Sequence, residues 1–145
     1  MRRFWLVLLC LLALPAVAVA QVPPTGTTFP GVQVTASSGN VAAATATATL
    51  TAVANKVTYI CGLQATAGGA TAAAVVTLTV TNLASGTMSF TYGANTGAGV
   101  PTAPLVVPFN PCLPASAVNT TIVVSMPSLG TGNTNATVSA WGFQR

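Results

Sequence analysis

Residues 72–92 read AAAVVTLTVTNLASGTMSFTY, and the fold class turns on this stretch. Val76, Leu78 and Val80 alternate with Thr77, Thr79 and Thr81. A turn over Asn82 to Gly86 follows, and then Met88, Phe90 and Tyr92 alternate with Ser89 and Thr91. Successive side chains of a strand point to opposite faces, so a period of two puts the apolar residues on one face and the hydroxyls on the other. Two such runs joined by a Gly-containing turn describe a strand–turn–strand unit.

The same period extends in both directions. Upstream, residues 45–51 read TATATLT, and Val32 and Val34 alternate with Gln33 and Thr35. After a turn at Ala54-Asn55-Lys56, strict alternation points Val57, Tyr59, Cys61 and Leu63 one way and Thr58, Ile60 and Gln64 the other. Downstream come Leu105, Val107 and Phe109, then Val118 to Met126, then Asn135 to Gln144, where Trp141 and Phe143 share a face with Thr137 and Ser139. About eight short segments bounded by Gly, Pro, Asn or Ser predict an antiparallel β-sandwich of seven or eight strands, jelly-roll or immunoglobulin-like. Alanine favours helix in residues 41–54. Threonine at every second position opposes it, because β-branched side chains crowd the preceding helical turn, and no window carries a 3.6-residue stripe. Asn110-Pro111-Cys112-Leu113-Pro114 is expected to be a loop, since two prolines do not fit a central strand.

The amino terminus is read as an address. Residues 1–20, MRRFWLVLLCLLALPAVAVA, place two arginines before an apolar run, a break at Pro15 and a small-x-small site at Ala18-Val19-Ala20, the order of a cleaved secretory signal peptide. A retained membrane anchor is the competing reading, and the apolar run is short for it. Leu9 before Cys10 is too bulky for a lipoprotein site. Residues 21–31 are expected to be an extended lead-in, and residues 32–145 a single β-sandwich domain, secreted, periplasmic or at the cell surface, with no membrane span once the signal is removed.

Charge is nearly missing. The chain has 145 residues, a net charge of +4, and no Asp, Glu or His. A glycosidase acid/base pair, a Ser-His-Asp triad and a metal site built from carboxylates or imidazoles are therefore excluded, and no catalytic residue, metal or cofactor is expected. Loss of Arg2 and Arg3 with the signal leaves Lys56 and Arg145. Two separated cations make no stripe for nucleic acid or for an anionic membrane. Cys61 and Cys112 most simply form one disulfide in an oxidising compartment, stabilising the fold by roughly 4 kcal/mol through closure of a loop of about 50 residues. Two unpaired buried thiols are the alternative.

Several features are candidate binding surfaces. Thr45, Thr47, Thr49 and Thr51 would line one face of a strand, and Thr77, Thr79 and Thr81 another. Such rows could order water as ice-binding β-proteins do, but no fixed-period repeat supports that use, and threonine commonly fills a solvent face. Trp141, Phe143, Tyr59 and Tyr92 could form a platform for sugar rings; in a small sandwich they are expected to fill the core instead. Lys56 is expected in solvent at its turn, and Asn119-Thr120-Thr121 and Asn135-Ala136-Thr137 match the glycosylation sequon. A soluble monomer normally guards its sheet edges with charge. The lack of any predicts association with further copies, as an oligomer, a fibre or a coat, or with another surface protein; a monomer kept soluble by Thr, Asn and Ser is the alternative.

The stretches YICGLQATAGGATAAAVVTLTV (59–80) and PASAVNTTIVVSMPSLGTGNTNATVSAWGFQ (114–144) resemble small, largely uncharacterised Ala/Thr/Gly-rich proteins of bacterial and phage-associated sequences. The resemblance implies a β-sandwich structural module and brings no catalytic residues. Three functions are therefore expected in order: a secreted structural or self-associating module, a phage-type decoration or fibre-associated sandwich, and a carbohydrate- or ice-binding module.

Overall fold

The computed structural model describes residues 30–70, 74–94 and 101–145. The expected signal, residues 1–20, and most of the expected lead-in lie outside the described residues. Eight strands follow in order: β1 (Val32–Ser37), β2 (Ala46–Leu50), β3 (Thr58–Gly68), β4 (Ala74–Leu83), β5 (Gly86–Ala94), β6 (Leu105–Pro114), β7 (Ile122–Met126) and β8 (Asn135–Gln144). They form two antiparallel four-stranded sheets, sheet A in the order β1-β8-β3-β6 and sheet B in the order β2-β7-β4-β5. All consecutive strands change sheet except β4 and β5, the hairpin foreseen from residues 72–92. That strand order is the eight-stranded jelly roll. An immunoglobulin-like sandwich would pair β1 with β2, whereas β1 pairs β8.

The core forms because the inward half of each alternation is apolar and small. Ala46, Ala48 and Leu50 of β2 face Ala136, Val138 and Ala140 of β8, and Leu78, Val80, Ile122, Val124 and Met126 complete sheet B's inner face. Alanine lets the two sheets approach closely. The larger side chains (Leu50, Ile60, Leu63, Leu78) are fully buried, each stabilising by about 1.5–3 kcal/mol relative to exposure. Polar groups at the core's end are paired: buried Gln144 donates from Nε2 to Thr58 Oγ1 and to the carbonyl of Thr51.

Two expectations are corrected. Alternation along β3 is not strict, because the register shifts between Ile60 and Gly62; Ile60 and Leu63 both enter the core while Tyr59 faces the other way. The expected loop Asn110–Pro114 belongs to β6. It is tolerated because β6 is the outer strand of sheet A, where missing N–H groups break no second ladder. Residues 109–112 of β6 stand opposite Cys61 alone, between the pairs Gly62–Pro108 and Ile60–Leu113. The Asn110–Pro111 peptide within this bulge is cis. Cys112 lies beside Cys61, and the disulfide joins neighbouring strands with a Cα–Cα distance of 4.3 Å.

Candidate functional site

The outer face of sheet B is mostly hydroxyls, with Val75 and Val123 among them. Register places Thr47 of β2 beside Ser125 of β7, Ser125 beside Thr79 of β4, and Thr79 beside Ser89 of β5, so one row crosses the whole sheet. A second row runs from Thr49 through Val123 to Thr81, and Thr77 pairs Thr91. The two threonine rows read separately from the sequence thus share one face, with β7 between them. Thr45 and Thr51 flank β2 rather than belonging to it, and all four of Thr45, Thr47, Thr49 and Thr51 are exposed.

The outer face of sheet A is aromatic. Tyr59, Trp141 and Phe143 do not fill the core as expected; of the four residues considered, only Tyr92 joins it. Their placement follows from register. Gln144 and Thr58 are paired and face inward, so their neighbours Phe143 and Tyr59, also paired, face outward. The Tyr59 and Phe143 rings stack with centroids 4.7 Å apart and planes 9° from parallel. The Arg145 guanidinium lies 5.1 Å from the Tyr59 ring centre, and its Nε donates to the Tyr59 hydroxyl at 3.2 Å. This stack leaves Phe143 only 6% exposed. Two residues earlier on β8, half-buried Trp141 pairs with Thr35 on one side and Gly62 on the other. Exposed Gln64 and Thr35 and half-buried Ser139 adjoin it on the same face.

Gly62 is the residue that sequence reasoning missed. A glycine inside a run of large strand formers signals close approach of another group. Here the group is the Trp141 indole, which occupies the space above it.

Charge sits at one end of the molecule. Val57 and Arg145 exchange backbone hydrogen bonds of 2.8 and 3.2 Å, which brings Lys56 to the end of the sandwich where Arg145 lies. The only cations among the described residues are therefore neighbours; Arg145 lies against Tyr59 at the end of sheet A's outer face, and the outer face of sheet B is neutral. Among the described residues no group of three metal-ligating side chains occurs. Burial pushes the Tyr92 phenol above its ordinary value, and its hydroxyl donates to the Ala103 carbonyl at 3.2 Å. The sequon asparagines serve the fold. Asn119 Oδ1 accepts from the Asn55 N–H at 2.6 Å, and Asn135 Oδ1 accepts from Asn40 Nδ2 at 2.9 Å.

Two depressions accompany these faces. A cleft of about 290 Å³ lies where β3 ends and β8 begins, lined by Thr66, Gly68, Gly69, Pro101, Asn135 and Thr137 among others. An open groove of about 530 Å³ separates β5 from β6 and is lined by Met88, Phe109, Leu113 and Pro111 among others. No family model, curated protein or solved structure matches this chain.

Proposed function

We propose that this chain is an exported structural module that acts by associating with itself or with another surface protein, and not by catalysis. One observation carries the reading: all eight described strands are built without a charged side chain, and the two cations among the described residues are confined to one end, where Arg145 reaches onto Tyr59. Charge on surfaces and edges is one of the means by which β-proteins keep apart, and its absence leaves no electrostatic repulsion against a neighbour. The disulfide accords with an oxidising compartment, and no helix among the described residues is long and apolar enough to cross a membrane. Sedimentation of the oxidised chain at tens of micromolar is expected to reveal assemblies, which electron microscopy would resolve as rings, fibres or discrete oligomers. A clean monomer throughout that range would refute the reading.

The aromatic face favours a second reading, a module for neutral glycans. Trp141, lying flush with the surface beside Gln64, Thr35 and Ser139, offers a ring for stacking and neutral donors and acceptors for sugar hydroxyls. A glycan array with the parent and Trp141→Ala tests it. Binding lost in the variant supports this reading, and an array without neutral ligands removes it.

A further inference from the structure

The four outer strands are not equivalent. β6 carries Pro108, Pro111 and Pro114 together with its bulge, and cannot template another strand. β1 and β2 have 6 and 5 residues, and Val34, Ala36 and Val41 pack against the core on their side of the sandwich. β5 is the longest edge without proline or charge, with 9 residues, and among the described residues it pairs only with β4.

The seam between the sheets is also open beside β5. The groove of about 530 Å³ lies there, between Ser85 and Met88 on one wall and the residues from Pro108 to Leu113 on the other. Phe90 and Phe109 meet across the seam with ring centres 6.4 Å apart. Met88, Phe90, Phe109 and Leu113 pack on the core yet remain partly exposed. A strand edge with unpaired N–H and C=O groups beside an apolar trough is the arrangement used for strand addition. Main-chain bonds supply affinity there, and alternate side chains enter the trough.

We infer that the occupant is β5 of a second copy, paired antiparallel across a two-fold axis so that the two B sheets become one continuous sheet. The occupant must be an extended, neutral strand whose apolar residues alternate with hydroxyls, and β5 is such a strand: half-buried Met88 and Phe90 alternate with Thr87, Ser89 and Thr91, while Tyr92 stays in its own core. A two-fold contact sets a surface against itself, so any charge on it meets its own sign. Neither β5 nor the groove carries one, and Lys56 and Arg145 are outside both. Pairing would cover Met88, Phe90 and Phe109 and join the two hydroxyl faces. This assignment rests on the self-association reading and gives it a surface.

The test compares the oxidised chain from an exporting host with Ser89→Lys/Thr91→Lys and with Val106→Lys. Ser89 and Thr91 are exposed on the outer face of β5, and Val106, 55% exposed, lies on β6, so neither change disturbs the core. Sedimentation is expected to show a dimer for the parent and for Val106→Lys. The double variant should dimerise at least about 100-fold more weakly, because like charges face each other across the axis. Circular dichroism of the double variant should match the parent, its melting temperature should match that of the parent diluted until the dimer dissociates, and each single Lys variant should dimerise with intermediate strength. A monomeric parent overturns both this inference and the self-association reading. A parent whose assembly survives both lysines overturns the β5 assignment alone. Loss of assembly on deleting residues 21–29, with the lysines without effect, also overturns it by making that segment the occupant.

Discussion

The indole of Trp141 occupies the space above Gly62: a Cβ on that glycine would lie 2.3 Å from Cζ2 and 2.6 Å from Cε2. The colliding atoms are the far end of a side chain, so Gly62→Ala is expected to swing the indole outward and cost about 1–2 kcal/mol without breaking the sheet. Gly142 provides the contrast, because a Cβ there would sit 1.8 Å from the backbone carbonyl oxygen of Tyr59, which cannot move without parting β3 from β8. Gly142→Ala should cost about 3 kcal/mol or more. In a chain beginning at Gln21, Trp141 is the only tryptophan, so its fluorescence reports the first effect as a red shift and urea titration ranks the two. Equal destabilisation by both substitutions would contradict this account.

The disulfide spans 51 residues of sequence but ties adjacent strands across the β6 bulge. Its removal by Cys61→Ser/Cys112→Ser should lower stability by about 3–5 kcal/mol through the freed entropy of the unfolded chain. Calorimetry should show a melting temperature lower by more than about 10 °C. A loss of only a degree or two would mean that the thin Ala/Val core is sufficient by itself.

Stability should respond to pH only at the alkaline end. Downstream of residue 20 the chain offers no carboxylate or imidazole side chain to titrate, so the melting temperature should be nearly constant between roughly pH 4 and 8. Burial holds the Tyr92 proton above the ordinary value of 10.0. The unfolded chain therefore releases that proton first, and the stabilisation present below about pH 10 is lost as pH rises toward the folded value. Tyr92→Phe should reduce this alkaline decline in thermal melts, and an undiminished decline would exclude Tyr92 as its source.

Asn119 holds the turn at Asn55. Both residues have left-handed backbones, with φ of 62° and 60°, and Asn119 Oδ1 accepts the Asn55 N–H. Asn119→Ala loses the bond and places a residue less tolerant of positive φ there, at a cost of about 1–2 kcal/mol. Asn119→Gly relieves the strain but not the missing bond, and should fall between parent and alanine in urea midpoint. If glycine proves as damaging as alanine, the hydrogen bond and not the backbone dominates.

Much of the architecture was legible because alternation is a local property. The hairpin of β4 and β5, the threonines of β2 and the Thr137–Phe143 face of β8 each follow from side chains two residues apart pointing the same way. The Cys61–Cys112 pairing was legible from count alone. The irregularities were not. The register shift at Cys61 reverses the alternation of β3, and its one local sign, Gly62, does not tell a bulge from a close approach of another group. The prolines of β6 look like a loop until the strand is known to be an outer one.

The sequence by itself determined an all-β chain, its single pair of cysteines and the near absence of ionisable groups, because composition and period two are set by neighbours along the chain. Only the tertiary structure decided which face of each strand is buried. In β8 both halves of the alternation could have turned inward, and the small set, Ala136, Val138 and Ala140, did so, because two closely packed sheets accommodate alanine more readily than indole. That choice turned Trp141, Phe143 and Tyr59 outward. The strand order decided the rest: it set two distant threonine rows on one face and left β5 at an edge, and such pairings between remote segments are fixed by packing in three dimensions.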